Sequence, residues 1–159
     1  MTIRILCIGK LKERFYADAV TEFVKRLSRY AAVEIVELAD ERAPEQLSPA
    51  QREQVKSAEG RRMLARIGEG EFLVALDQRG AELSSEQLAA HMQSWMGAGK
   101  SRIAFAIGSS LGHSAEVLAR ADFRLSFGRP TFSHQIFRIM LLEQVYRAFK
   151  IMNGEPYHK

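Results

Sequence analysis

The sequence predicts an α/β fold: a parallel sheet of about five or six strands with helices on both faces. Three observations carry this. Short apolar runs recur at residues 3–8, 33–38, 72–76, 103–107 and 122–125. Segments of helical period separate them, giving a strict strand–helix alternation. Most of the runs are near-continuously apolar rather than alternating, as strands buried on both faces require.

The elements follow in order. Ile3-Arg4-Ile5-Leu6-Cys7-Ile8, closed by Gly9, is a buried strand. Residues 12–30 form an amphipathic helix with Tyr16, Val20, Phe23, Val24 and Leu27 on one face. Residues 33–38 form a second strand, whose glutamates place it nearer an edge. Residues 39–49 mix Asp, Glu, Arg and Pro without period and read as a loop. Residues 50–67 form a helix with Val55, Leu64 and Ile67 inside and five basic residues mostly outside. Those cations are either a solvated face or part of a polyanion-binding surface.

The third strand, residues 72–76, ends in Asp77-Gln78-Arg79-Gly80. Ser84 or Ser85 caps a helix whose inner face is Leu88, Met92 and Trp95, stopped by Gly97-Ala98-Gly99. The fourth strand ends in Gly108-Ser109-Ser110-Leu111-Gly112, and a short helix covers residues 113–120. The fifth strand runs into Phe127-Gly128-Arg129-Pro130, where Pro130 or Thr131 begins the last helix. Asn153-Gly154 stops it, and Pro156 lies just beyond.

That last helix carries two polar stripes, His134 with Arg138 and Glu143 with Arg147 and Lys150. Apolar residues fill both flanks: Ile136, Phe137, Met140 and Ile151 on one, Leu142, Tyr146 and Phe149 on the other. Two apolar flanks call for two partners, so the pattern favours a homodimer over a central core helix in a monomer.

A chain of 159 residues fits one domain, residues 1–159. The single cysteine, Cys7, excludes an internal disulfide framework and reads as an inert core thiol. No apolar run reaches membrane-spanning length, so no membrane partner is expected and the cytoplasm is. The net charge of +4 is compatible with an RNA partner. The chain has no Gly-x-Gly-x-x-Gly after its first strand, no Walker loop, no metal-ligand spacing and no Gly-x-Ser-x-Gly elbow. Ligands of open α/β sheets bind beyond the carboxyl ends of strands, and the specialised ends are the turns at 76–80, 107–112 and 125–132.

Thr131-Phe132-Ser133-His134-Gln135, the segment 141–151 and the ending Gly154-Glu155-Pro156-Tyr157-His158-Lys159 resemble the ribosomal RNA large subunit methyltransferase H family, small SPOUT-class enzymes. The start at residues 3–10, the Leu76–Gly80 turn and Ile107-Gly108 match as well, so the resemblance spans nearly the whole chain. It implies an α/β fold with a C-terminal trefoil knot and a homodimer. It implies S-adenosylmethionine as cofactor and methylation of N3 of a pseudouridine in 23S ribosomal RNA within assembled 70S ribosomes. No metal is implied.

Carried over by position, the implied cofactor contacts are Leu76, Gly108, Phe127, Gly128, Arg129, Pro130, Thr131 and Phe132. The family usually has a second glycine where this chain has Ser109, and a Leu-Ser-x-Met-Thr-Phe-Pro-His pattern over residues 127–134. Gly128, Pro130 and Ser133 depart from it. Methyl transfer to a weakly acidic imide gains from a base or cation near the nucleophile. His134, Glu143, Arg147, Tyr157 and His158 are the candidates by position, and the residues do not choose among them. Bland roles stand beside the catalytic ones: a hydrogen bonder at the helix start for His134, an intrahelical ion pair for Glu143 and Arg147. Arg4, Lys10, Arg14 and Arg129 are candidates for phosphate contact. Two other functions stay open: a ribosome- or RNA-binding homologue without catalysis, and a SPOUT enzyme acting on transfer RNA.

Overall fold

The computed structural model describes residues 1–159. Its strands are β1 (Thr2–Ile8), β2 (Ala32–Leu38), β3 (Phe72–Glu82), β4 (Arg102–Ile107) and β5 (Phe123–Ser126). Its helices are α1 (Arg14–Leu27), α2 (Pro49–Leu64), α3 (Ser85–Gly97), α4 (Ala115–Arg120) and α5 (His134–Met152). All five strands are parallel, in the order β2-β1-β4-β3-β5. β2, whose two glutamates placed it nearer an edge, is an edge strand, as expected.

Strand periodicity divides the core into two layers. Ile3, Ile5 and Cys7 of β1 and Ile103, Phe105 and Ile107 of β4 point to α1, α3 and α5. Leu6, Ile8, Ala104 and Ala106 point to α2 and α4, against Met63 and Val117. The alanines let that second layer lie close. Gly60 of α2 is part of the same fit, since a Cβ there would meet Ser114 Oγ at 2.3 Å. Cys7 is fully buried, and burial pushes its thiol up to about 12, so it is an inert core group.

Four expectations need correction. The third strand does not stop at Leu76. It bulges over residues 77–80 and resumes, so that both Leu76 and Ala81 stand opposite Leu125. Gly80 permits this, because its backbone lies on Arg124 where a Cβ would come within 2.7 Å of the carbonyl. The last helix begins at His134 rather than Pro130 or Thr131, with Ser133 Oγ accepting from Ile136 N at 3.3 Å. The buried residues of α2 are Glu59, Gly60 and Met63; Leu64 and Ile67 pack half-buried against the same core, as expected, while Val55 is half-buried outside it. Arg4 is not a phosphate contact: it is buried, donating to Glu34 and Glu71 carboxylates and to Arg66 O.

Candidate active site

The glycine-bearing bulge of β3 and the turns after β4 and β5 meet around one cavity of about 690 Å³. That volume is in the range of small-molecule sites, roughly 300–1,000 Å³. Seven of the eight residues expected at a cofactor line it: Leu76, Gly108, Phe127, Gly128, Pro130, Thr131 and Phe132. The eighth, Arg129, is exposed and outside the lining, with only its carbonyl engaged by the bulge.

The cavity wall is held by contacts between turns. Gln78 Nε2 donates to Thr131 Oγ1 at 3.2 Å and to Arg129 O at 3.4 Å. Ser126 Oγ donates to Gln78 O and accepts from Gly128 N, each at 3.1 Å. Phe127 stacks on Phe137 of α5 with ring centres 5.1 Å apart. Three of the four departures from the family pattern have local reasons, and Pro130 has none in the structure. Gly128 sits at φ +98°, where a side chain would be strained. Ser133 caps α5. Ser109 Oγ donates to Glu59 Oε1 at 2.7 Å, bolting the β4 turn to a buried carboxylate of α2.

His134 lines the same cavity, its ring over Gly9. Behind it Arg138 is fully buried. Arg138 Nη2 donates to Gly9 O at 2.7 Å and lies 3.4 Å from His134 Nδ1, while Nη1 donates to Glu37 Oε2 at 2.8 Å. Burial, then the Arg138 charge, lowers the His134 pKa below its ordinary value, so the ring is neutral near pH 7. With Arg138 donating to Nδ1, the proton belongs on Nε2. Burial opposes ionisation of Glu37, but the Arg138 and Leu11 N–H donors overcome it and hold its carboxyl below the usual range.

The other four catalytic candidates stand elsewhere. Two turns along α5, Arg147 Nη2 lies 2.5 Å from Glu143 Oε1, and Tyr157 OH donates to the same oxygen at 3.0 Å. The Arg147 guanidinium covers the Tyr157 ring at 4.6 Å and reaches His158 Nδ1 at 3.3 Å, and His158 Nε2 meets Glu86 at 2.7 Å. Burial, then the bond to Glu143, raises the Tyr157 pKa, so the phenol keeps its proton. None of these four lines the first cavity. Glu143 borders a second, of about 680 Å³, beside Phe23, Leu88, Ile139 and Met140. The structure therefore brings His134 to the predicted cofactor residues and gathers Glu143, Arg147, Tyr157 and His158 apart from them.

Sequence reading missed Arg138, Glu37, Asp77 and His113 as site residues. The spacing of four between His134 and Arg138 and the place of Asp77 in the 76–80 turn were the available signals. Lys10 and Arg14 are exposed, as phosphate contacts need to be. No group of three or more His, Cys, Asp or Glu is arranged to hold a metal, and no helix is long and apolar enough to cross a membrane.

Residues 1–158 match the family model described as "Predicted SPOUT methyltransferase". The chain is 53% identical to the ribosomal RNA large subunit methyltransferase H of Carboxydothermus hydrogenoformans and 52% identical to that of Lysinibacillus sphaericus, each over the full length of both chains. Among solved structures it resembles a probable methylase family protein from Haemophilus influenzae (TM-score 0.54, 12% identity, 99% of this chain and 70% of that one). It also resembles the tRNA (m1G37) methyltransferase of Aquifex aeolicus (TM-score 0.53, 16% identity, 92% and 70%). Those two likenesses speak for the fold alone. The family model and the full-length identities establish that the chain belongs to the SPOUT methyltransferase family, in the ribosomal RNA large subunit methyltransferase H branch.

Proposed function

We propose that this protein methylates N3 of a pseudouridine in large-subunit ribosomal RNA on assembled ribosomes, using S-adenosylmethionine. The observation that carries the reading is the convergence of seven expected cofactor residues on one cavity, in a chain of this family. The relatives' names supply the ribosomal RNA substrate class. The cofactor supplies a methyl group on a sulfonium, which needs an aligned nucleophile more than a strong catalyst.

The residues fit such a ligand. Backbone groups at Leu76, Gly108 and the 127–132 turn present donors and acceptors without relying on side-chain identity. Phe127, Phe132 and Phe137 give the cavity apolar, aromatic surface. His134 offers a neutral Nε2–H. The knotted threading of the C-terminal segment belongs to the same reading; it is supported by family membership and by the 127–133 segment bordering the cavity beside the β3 bulge and the turn after β4.

The homodimer also belongs to it. Ile136 is 40% exposed and Phe15 65%, and both lie on helices of the α1–α3–α5 layer. A second copy covering that layer would bring one protomer's tail toward its partner's cavity and so reunite the two groups of candidates. Arg147 would then favour the deprotonated imide, and protonated Tyr157 would donate to the base or ribose. A cytoplasmic location follows from a ribosomal substrate.

The test is mass spectrometry of nucleosides from ribosomes lacking the modification, after incubation with the protein and S-adenosylmethionine. N3-methylpseudouridine should form with whole ribosomes and not with transfer RNA. Product on transfer RNA alone, or none with any RNA despite cofactor binding, refutes the assignment.

A further inference from the structure

Asp77 stands at the start of the bulge that β3 makes beside the cavity, and it is the one acidic residue lining that cavity. Its Oδ1 accepts from Arg79 N at 3.4 Å. Its Oδ2 is out of solvent, and no donor of the protein reaches it. A carboxylate oxygen without a donor is costly, and folded proteins rarely keep one without a use.

The cationic groups around the cavity are committed elsewhere. Lys56 Nζ is 2.7 Å from Glu53. The Arg79 side chain is exposed. His113 Nε2 is 3.1 Å from Ala106 O, an acceptor, so that nitrogen carries the proton. Burial lowers the His113 pKa, so the ring adds no charge near pH 7. Asp77 Oδ2 is therefore an acceptor beside the cavity that no donor of the protein satisfies.

We propose that Asp77 is a cofactor-positioning residue whose free carboxylate oxygen takes a hydrogen bond from the α-ammonium group at the amino-acid end of the cofactor. This rests on the S-adenosylmethionine reading of the cavity. Of the donors on such a ligand, the ammonium is the one that is both an N–H donor and a cation. The sulfonium has charge but no hydrogen to donate; the ribose and adenine donors are neutral. A charge-assisted bond out of water is the stronger choice. The bulge then has a purpose beyond re-registering β3: it places residue 77 in the cavity, where an unbroken strand would pair it with β5.

The experiment is calorimetric titration of the full-length protein and of Asp77→Asn with three ligands. These are S-adenosylmethionine, S-adenosylhomocysteine and 5′-methylthioadenosine, which has the nucleoside and lacks the amino acid. The expected result is a loss of about tenfold or more for the first two and little change for the third. Without ligand, Asp77→Asn should melt at or above the wild type, because it removes an unpaired charge; a structural carboxylate would give a clear drop. Loss confined to S-adenosylmethionine assigns the residue to the sulfonium and overturns the proposal. Equal loss for all three, no loss for any, or a markedly less stable variant also overturns it. As a check needing no variant, wild type should bind S-adenosylhomocysteine more tightly than its deaminated analogue, and equal affinities overturn the proposal. If wild type binds none of the ligands, the cofactor reading itself has failed. If wild type binds and Asp77→Asn binds equally well, only the role of Asp77 has failed.

Discussion

The two ends of α5 carry candidate catalytic groups in opposite ways. At its start, His134 and Arg138 are tied to Gly9 and Glu37, residues more than 90 positions away in the chain, and Arg138 is sealed from solvent. Toward its end, Glu143 and Arg147 are tied to Tyr157 and His158, which belong to a tail that folds back on the same helix. The first arrangement exists only when β1, β2 and α5 have all assembled. The second is half-exposed and local except where His158 meets Glu86 of α3. The difference teaches that buried charge here fixes the frame of the cavity, while partly exposed charge is left free to meet another surface.

The sharpest way to break this comparison is Arg138→Ala. It strips Glu37 and Gly9 O of their buried donor and opens a cavity in the core. The ion pair is discounted because the Glu37 side chain is 35% exposed. The expected cost is about 3 kcal/mol of stability, read by urea denaturation, together with weaker cofactor binding. A variant as stable as wild type would remove the contrast between the two ends.

Arg147→Ala and Tyr157→Phe should behave in the opposite sense. The pairs they break are partly exposed, so stability should fall by about 1 kcal/mol or less. Cofactor affinity should stay unchanged, because neither residue lines that cavity. Methylation should fall at least about tenfold. If stability and activity fall together, the tail is a structural clasp and the catalytic reading of the cluster is wrong.

Acid should also separate the two ends. His134 and His113 both have pKa values lowered by burial, so the unfolded chain takes up their protons first. Their contribution to stability is complete above about pH 6.5 and is lost as pH falls below it. Glu37, whose pKa is depressed, adds a further loss as pH falls through its folded value, below the usual glutamate range. A melting temperature flat from pH 7 to 5.5 in wild type would contradict the buried-imidazole account. His134→Gln should lessen the slope.

The layered sheet was legible because β1 and β4 are near-continuously apolar and so must be covered by helices on both faces. The cavity was legible because glycine turns after successive parallel strands must cluster at one end of a sheet. What escaped depended on single contacts across the fold. The resumption of β3 rests on Gly80 lying against Arg124, and one glycine in a polar turn does not announce that. The start of α5 was misplaced because Thr131, a good cap by type, has its hydroxyl taken by Gln78, leaving Ser133 to cap. Arg4 looked available for phosphate because its acceptor Glu71 lies 67 residues away. The pairing of His134 with Arg138 showed in their spacing; the sealing of Arg138 by Glu37 and Gly9 did not.

The smallest expected effect tests whether Ser109, where the family usually has glycine, is a bolt of the same kind as Arg138. Its hydroxyl satisfies one oxygen of Glu59, which is 4% exposed, and Glu41 N satisfies the other. Ser109→Gly removes one of two donors and leaves the carboxylate buried, so it should cost about 1 kcal/mol in thermal or urea denaturation. Glu59→Gln in the Ser109→Gly background should recover part of that loss, because a neutral amide tolerates the missing donor better. Non-additivity of the two changes is the deciding readout. If the two effects simply add, the hydroxyl and the carboxylate act independently and the turn after β4 is held by its own backbone, through the bond from Gly112 N to Ser109 O at 2.9 Å.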